Sequence, residues 1–422
     1  NFKTIMQTRL ADFIKNSPQG KEADAILRSC VHCGFCLATC PTYQLLGDEL
    51  DSPRGRIYLM KQMLEGQSVT QKTQLHLDRC LTCRACESTC PSGVRYAELV
   101  DISRNLIEQQ VERPAGKKLM RYLLRKILPN PAFFKPLIRA GQFVRPVLPA
   151  SLKKSVPPAV RVKPHWPAAR HARKILVLDG CVQPTFAPNI NAATARVLDA
   201  IGISLITSAQ AGCCGAIAYH LNAQTEGMDA MRKNIDAWWP LIEKNTVEYI
   251  AMTASGCGAT VREYGHILRH DPVYAEKAAR ISGITRDISE ILVEEQDKLR
   301  QILNDRNENP APARLAFHSP CTLQHGQQIR GKAEHILQAA GFELTAVPDA
   351  HLCCGSAGTY SILQPKLSQQ LLNNKVNALE SGRPQCIATA NIGCLMHLQN
   401  GTALPVKHWI EIIDERLSQR HQ

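Results

Sequence analysis

The sequence predicts a multidomain protein of α + α/β class: a small helical unit built around cysteines, followed by two homologous α/β halves. Three observations predict it. Eight of the 17 cysteines fall within residues 22–110, in two runs of identical spacing. The other nine lie beyond residue 173, where a pattern of about 140 residues occurs twice. Residues 111–172, between them, are rich in Pro, Lys and Arg. The expected division is therefore 22–110, 111–172, 173–310 and 311–422.

Composition narrows the class. Of 422 residues, 44% are hydrophobic and 21% charged, which argues against bulk disorder. No run of about 18 apolar residues offers a membrane span, and the first residues hold no apolar signal core. A disulfide scaffold would be small and extracellular, so 17 cysteines in this chain point to metal or redox chemistry and a cytoplasmic setting.

In the first unit, Arg56–Leu64 has helical apolar spacing and strong helix formers, with Gly66 placed to end it. Glu98–Ile107 reads the same way. The cysteine runs are Cys30-x2-Cys33-x2-Cys36-x3-Cys40-Pro41 and Cys80-x2-Cys83-x2-Cys86-x3-Cys90-Pro91. This is the bacterial ferredoxin run for a [4Fe–4S] cube, in which the fourth cysteine serves the other cluster. One cluster is therefore expected on Cys30, Cys33, Cys36 and Cys90, and the second on Cys80, Cys83, Cys86 and Cys40. Zinc sites usually pair two separated C-x-x-C knuckles, which two triple-cysteine runs fit poorly. The fifty-residue offset resembles the helical ferredoxin modules of respiratory complexes.

In the repeat, Lys174–Cys181 parallels Arg314–Cys321, each an apolar run ending in cysteine. Helix candidates follow at Ala193–Ala200 and Lys332–Ala340, then Gly202 or Gly341 before a second strand candidate. Thirty-one residues separate the first cysteine from Cys213-Cys214-Gly215 in one copy and from Cys353-Cys354-Gly355 in the other. Strand candidates Tyr249–Thr253 and Cys386–Thr389 precede Cys257 and Cys394. Alternating strands and helices imply parallel βα units. The candidate further metal ligands are Cys181, Cys213, Cys214 and Cys257, and Cys321, Cys353, Cys354 and Cys394. This pattern resembles the cysteine-rich CCG domain of heterodisulfide reductase-type proteins. In that family the last element is often C-x-x-C, whereas Ala254 and Asn391 stand at the earlier position here. Four thiolates per half leave a cube, a zinc ion or no metal open. Cys386 has no counterpart and reads as a strand cysteine.

The net charge of +13 is local. Residues 113–174 hold sixteen Lys/Arg and no Asp or Glu, leaving 34 basic against 37 acidic residues elsewhere. Lys117–Leu128 places basic and apolar residues at helical spacing, Pro129 breaks it, and Phe133–Ile138 and Phe143–Leu148 continue the theme. Such a segment suits a membrane interface, and peripheral contact is expected through residues 113–148. A docked helix or a plain linker are the other readings. The aromatics form no stacking platform, so no nucleic-acid partner is expected.

His220, His266, His318, His325, His351 and His397 lie in or near the repeat and read as structural or as supports for a site. Trp238-Trp239 reads as core or interface. In Ser52-Pro53-Arg54-Gly55-Arg56, the arginines either tune a cluster, meet an acidic partner or cap the next helix. No dinucleotide fingerprint, P-loop or serine elbow appears, so no catalytic residue is assigned.

The whole order resembles the iron–sulfur electron-transfer subunits of bacterial membrane-associated dehydrogenases. Within them it is most similar to the glycolate oxidase (glycolate dehydrogenase) iron–sulfur subunit family. The strings Cys30–Cys36, Ser52–Tyr58, Asn234–Pro240, His351–Tyr360 and His408–Glu411 carry that likeness, which spans about Glu22 to Glu415. The resemblance implies a helical ferredoxin-like two-cluster domain ahead of two CCG domains. It also implies a hetero-oligomer with FAD-containing dehydrogenase subunits that oxidise glycolate to glyoxylate. This chain would then relay electrons toward quinone or another acceptor, on the cytoplasmic face of the inner membrane. The competing readings are an autonomous heterodisulfide reductase-like enzyme and the equivalent subunit for D-lactate or glycerol 3-phosphate.

Overall fold

In the N-terminal unit, serine caps followed by proline start the helices. Ser17 accepts from Gly20 N at 2.9 Å ahead of the helix Pro18–Ser29, and Ser52 accepts from Gly55 N at 2.9 Å ahead of Pro53–Leu64. Further helices span Pro41–Leu46, Gln71–Asp78, Ala85–Ser88 and Tyr96–Gln110. Their apolar faces meet in one core, with Leu27, Met60, Leu64, Leu77 and Leu99 fully buried. Met6, Leu10 and Ile14 pack on this core, so the unit draws in residues before Glu22. The computed structural model describes residues 6–147, 149, 164–304 and 313–418.

The basic segment forms two helices, Ala115–Ile127 and Pro131–Val144. None of the first helix's residues is buried, and Leu119, Met120, Tyr122 and Leu123 are all exposed. The second is pinned by Phe134, which is buried edge-to-face against Phe186 with ring centroids 5.3 Å apart. Phe134 therefore faces protein, whereas its neighbour Phe133 is 62% exposed. Leu148 and residues 150–163 of the basic segment lie outside the described residues.

Each α/β half carries a four-stranded parallel sheet. The first half has β1 (Arg173–Val177), β2 (Ile203–Ile206), β3 (Ile250–Met252) and β4 (Thr285–Asp287), in the order β2-β1-β3-β4. The second has β5 (Arg314–His318), β6 (Glu343–Leu344), β7 (Cys386–Thr389) and β8 (Val406–His408), in the order β6-β5-β7-β8. Sequence analysis finds three strands per half. The edge strands β4 and β8, Thr-Arg-Asp and Val-Lys-His, are too short and polar to show an apolar run. The helices Asn189–Ala200 and Lys332–Ala339 follow the first strand of each half.

The halves share a core. Ile175, Leu198 and Ile291 of one half join Leu315, Ile336 and Trp409 of the other. His408 Nε2 lies 2.8 Å from Thr253 O, and Ser255 N donates to Ala390 O at 3.1 Å. Trp238 is fully buried in the first half's own core.

Candidate metal centres

Strand order positions the second group of cysteines. In each half the chain reverses direction of growth at its first strand, which opens a crevice beyond the carboxyl ends of β1/β3 and β5/β7. Cys181 follows β1, Cys213-Cys214 follow β2 and Cys257 follows β3. The same offsets bring Cys321, Cys353, Cys354 and Cys394 together, with Cys321 and Cys353 sulfurs 3.9 Å apart. Cys181, Cys213, Cys214 and Cys257, with Cys321, Cys353 and Cys394 of the second half and Cys80 and Cys83, line one cavity of about 750 Å3 between the N-terminal unit and the two halves, whereas Cys354 is buried away from it.

The glycine after each cysteine pair is required twice over. Gly215 and Gly355 have φ near +90°, and a Cβ there would sit 2.6 Å from Gly227 O or 2.7 Å from Ser368 O. Their N–H groups donate to Cys213 Sγ at 3.5 Å and Cys353 Sγ at 3.4 Å.

In the N-terminal unit, Cys30, Cys33, Cys36 and Cys90 line one small cavity, which Cys86 also borders. Cys40, Cys80, Cys83 and Cys86 line another. The fourth cysteine of each run thus sits with the first three of the other. Left-handed residues make both loops: His32 and Gly34 in the first, Thr82 and Arg84 in the second. Arg84 takes without strain relief a conformation that glycine takes freely, and its guanidinium is held by Glu87 at 2.6 Å and by Glu263 of the first half. Burial pushes the Cys36 thiol up to about 11, and pushes Cys83 and Cys86 well up. Without a cation these groups stay protonated; a bound metal supplies the charge that makes them thiolates.

The quartets differ in setting. Cys33 is exposed, and Phe35 beside it is 64% exposed. The inner quartet is enclosed, with Tyr96 OH 3.8 Å from Cys80 Sγ and Thr42 Oγ1 3.3 Å from Cys40 Sγ. The two arginines of Ser52–Arg56 divide between them. Arg54 pairs with Glu49 at 2.8 Å beside the outer quartet. Arg56 is buried beside the inner one, donating to His76 O at 2.8 Å, Thr42 Oγ1 at 3.1 Å and Asp51 at 3.2 Å.

Cys83 shares an apolar patch with Leu81, Cys321, Cys353 and Tyr360, so the inner quartet abuts the second half. Tyr360 OH donates to Arg79 O at 3.1 Å, and Ser88 Oγ lies 2.9 Å from His325 Nδ1. The first half is held by Asp101–His220 at 3.2 Å and Glu22–Arg269 at 2.6 Å. His266 neighbours Glu22, His325 Nε2 neighbours the His351 carbonyl at 2.9 Å, and His397 neighbours Ser368. Cys386 opens β7, with its sulfur 3.6 Å from Ile387 O, and stands apart from the quartet.

Fold and site together define an iron–sulfur protein of the oxidoreductase class, a dicluster module ahead of paired cysteine-rich domains. The chain matches the 4Fe-4S dicluster domain over residues 26–94. It matches the cysteine-rich domain CCG twice, over residues 175–262 and 315–399. It is 55% identical to the glycolate oxidase iron-sulfur subunit of Escherichia coli, covering 98% of this chain and 99% of that one. It is 29% identical to a probable glycolate oxidase iron-sulfur subunit of Bacillus subtilis, covering 92% of each. Lactate utilization protein A of Geobacillus thermodenitrificans is 26% identical over 58% of this chain and 99% of its own length. The chain belongs to the family of glycolate oxidase iron–sulfur subunits. Among the described residues no helix is long and apolar enough to cross a membrane.

Proposed function

We propose that this chain is the electron-carrying subunit of a complex that oxidises glycolate to glyoxylate on FAD held by partner subunits. The likeness to the Escherichia coli subunit over nearly the whole of both chains carries the reading. Cys30, Cys33, Cys36 and Cys90 hold one [4Fe–4S] cluster, and Cys40, Cys80, Cys83 and Cys86 the other. When bound, these clusters store and pass single electrons. The chain itself fixes their ligands and sets the inner site against the second half. The exposed Cys33 loop is the side from which a flavin partner is approached, and Cys83 beside Cys321 is the inward end. The cysteine sets of the two halves are further metal sites beyond the inner quartet, and the electrons leave the chain toward a quinone or another acceptor.

Anaerobic co-purification from native cells tests this. Flavin should accompany the chain, with glycolate-dependent dye reduction. Flavin with activity on D-lactate or glycerol 3-phosphate alone would change the substrate. Disulfide reduction by the flavin-free chain would replace the reading with the autonomous reductase.

The same proposal places residues 113–148 on the cytoplasmic face of the inner membrane. Leu119, Met120, Leu123, Phe133, Leu137 and Phe143 are exposed among basic residues, of which Arg113 pairs with Asp78 and Glu108 and Arg125 and Lys126 pair with Glu226. Each well-placed base adds about 1 kcal/mol on anionic lipid. Wild type should float with anionic vesicles, more weakly in high salt, and a Leu119→Gln/Leu123→Gln/Phe133→Gln/Leu137→Gln variant should stay behind. Equal flotation would end the membrane assignment. Phe134 is left intact because it anchors the helix.

A further inference from the structure

We propose that His318 completes a metal site with Cys354 and Cys394 in the second half, one that takes a single zinc ion and that the first half cannot form. The ring nitrogen of His318 and the sulfurs of Cys354 and Cys394 all lie within 4.8 Å of one another, and all three residues are buried. Tetrahedral zinc with bonds of about 2.3 Å sets its ligand atoms about 3.8 Å apart, so one ion can bridge this triad with small side-chain shifts. A tetrahedral ion takes one further ligand, which this triad leaves open.

Strand register prepares the imidazole for this role. His318 ends β5 directly beside Thr389 of β7. Its Nδ1 lies 3.0 Å from Thr389 Oγ1. With Nδ1–H donating to that hydroxyl, Nε2 keeps its lone pair for the metal, the arrangement typical of metal-bound histidine. Asn391 Nδ2 donates to Cys394 Sγ at 3.4 Å. Two thiolates balance the charge of Zn2+, and the imidazole adds none. The buried Lys375 ammonium, anchored on Asp349 O at 2.8 Å, lies beside Cys353 and Cys354.

The first half shows what the fold does without this site. Counted from the repeat cysteines, His318, Thr389 and Asn391 correspond to Leu178, Met252 and Ala254. Three polar groups in one half thus face three buried apolar ones in the other. A buried imidazole beside two thiols costs free energy unless it is used, and the apolar version folds equally well in the same molecule. The two halves therefore hold chemically different sites: four thiolates in the first, a mixed thiolate–imidazole set in the second.

The test is metal content and zinc-edge X-ray absorption on the full chain purified without oxygen. About one zinc ion per chain with a mixed nitrogen–sulfur shell is expected. His318→Leu, which copies the first half, should lose the zinc while iron stays unchanged. Thr389→Val, which only frees the ring, should release zinc to a chelator about tenfold faster. An all-sulfur shell, iron in place of zinc, or zinc unaltered in His318→Leu would overturn the proposal. The wild-type spectrum decides even if a variant fails to fold. The iron count reports separately on the N-terminal clusters, so failure of the relay reading would be seen on its own.

Discussion

Cys83→Ser is expected to halve the iron of the N-terminal unit, from about eight to about four per chain, and to abolish electron delivery beyond it. Cys83 belongs to the inner quartet and touches the second half through Cys321 and Cys353. Serine is a poor ligand for iron in a thiolate site. The outer quartet shares no ligand with it, so one cluster should survive. Under the proposed function, in which glycolate is oxidised on the flavin partner, the complex should then still reduce an artificial dye with glycolate. Reduction of a membrane acceptor should fall to background. Iron analysis with electron paramagnetic resonance counts the clusters, and parallel dye and acceptor assays read the two activities. Unchanged acceptor reduction would remove the inner quartet from the path. Loss of flavin reduction itself would contradict a pure relay role.

Asp51→Asn is expected to destabilise the N-terminal unit by about 3–5 kcal/mol. Asp51 is fully buried and meets Arg56 at 3.2 Å, Arg79 at 2.7 Å and His76 Nδ1 at 3.1 Å. Arg56 is 1% exposed, so the neutral variant strands a guanidinium beside the inner quartet without its counter-charge. Breaking one side of a buried pair costs more than removing both. Asp51→Asn/Arg56→Met should therefore recover part of the loss. Thermal bleaching of iron–sulfur absorbance in oxygen-free buffer follows this unit selectively. A loss below about 1 kcal/mol, or a double variant worse than the single, would show that the pair is not coupled as described.

Much of this organisation was legible in the chain. The two cysteine runs, the helix at Arg56–Leu64 with Gly66 at its end and the strands at β1, β5 and β7 all have local causes. Ligand spacing, capping and apolar runs are written over a few residues, and the structure has them where those signals lie. The expected membrane contact of residues 113–148 does not separate Phe133 from Phe134, because an amphipathic pattern tells that a face is apolar, not what covers it. Only the docking of Pro131–Val144 on Phe186 turns Phe134 inward and leaves Phe133 out. The role of Arg56 was undecided for a related reason. A Ser-Pro-Arg-Gly-Arg string caps a helix wherever it stands, and burial beside the inner quartet depends on Asp51, Thr42 and the His76 carbonyl.

Sequence alone determined that the cysteines fall into two runs of identical spacing and two repeated sets, and that one α/β unit occurs twice, because those properties reside in residue type and spacing. Tertiary structure decided which sites meet. It set the inner quartet against Cys321 and Cys353, placed His318 beside Thr389 through the register of β5 on β7, and left Leu178 in the matching place of the first half. Such relations join residues tens to hundreds of positions apart. They come into being only when parallel strands pair and separate units pack, and no local pattern records either event.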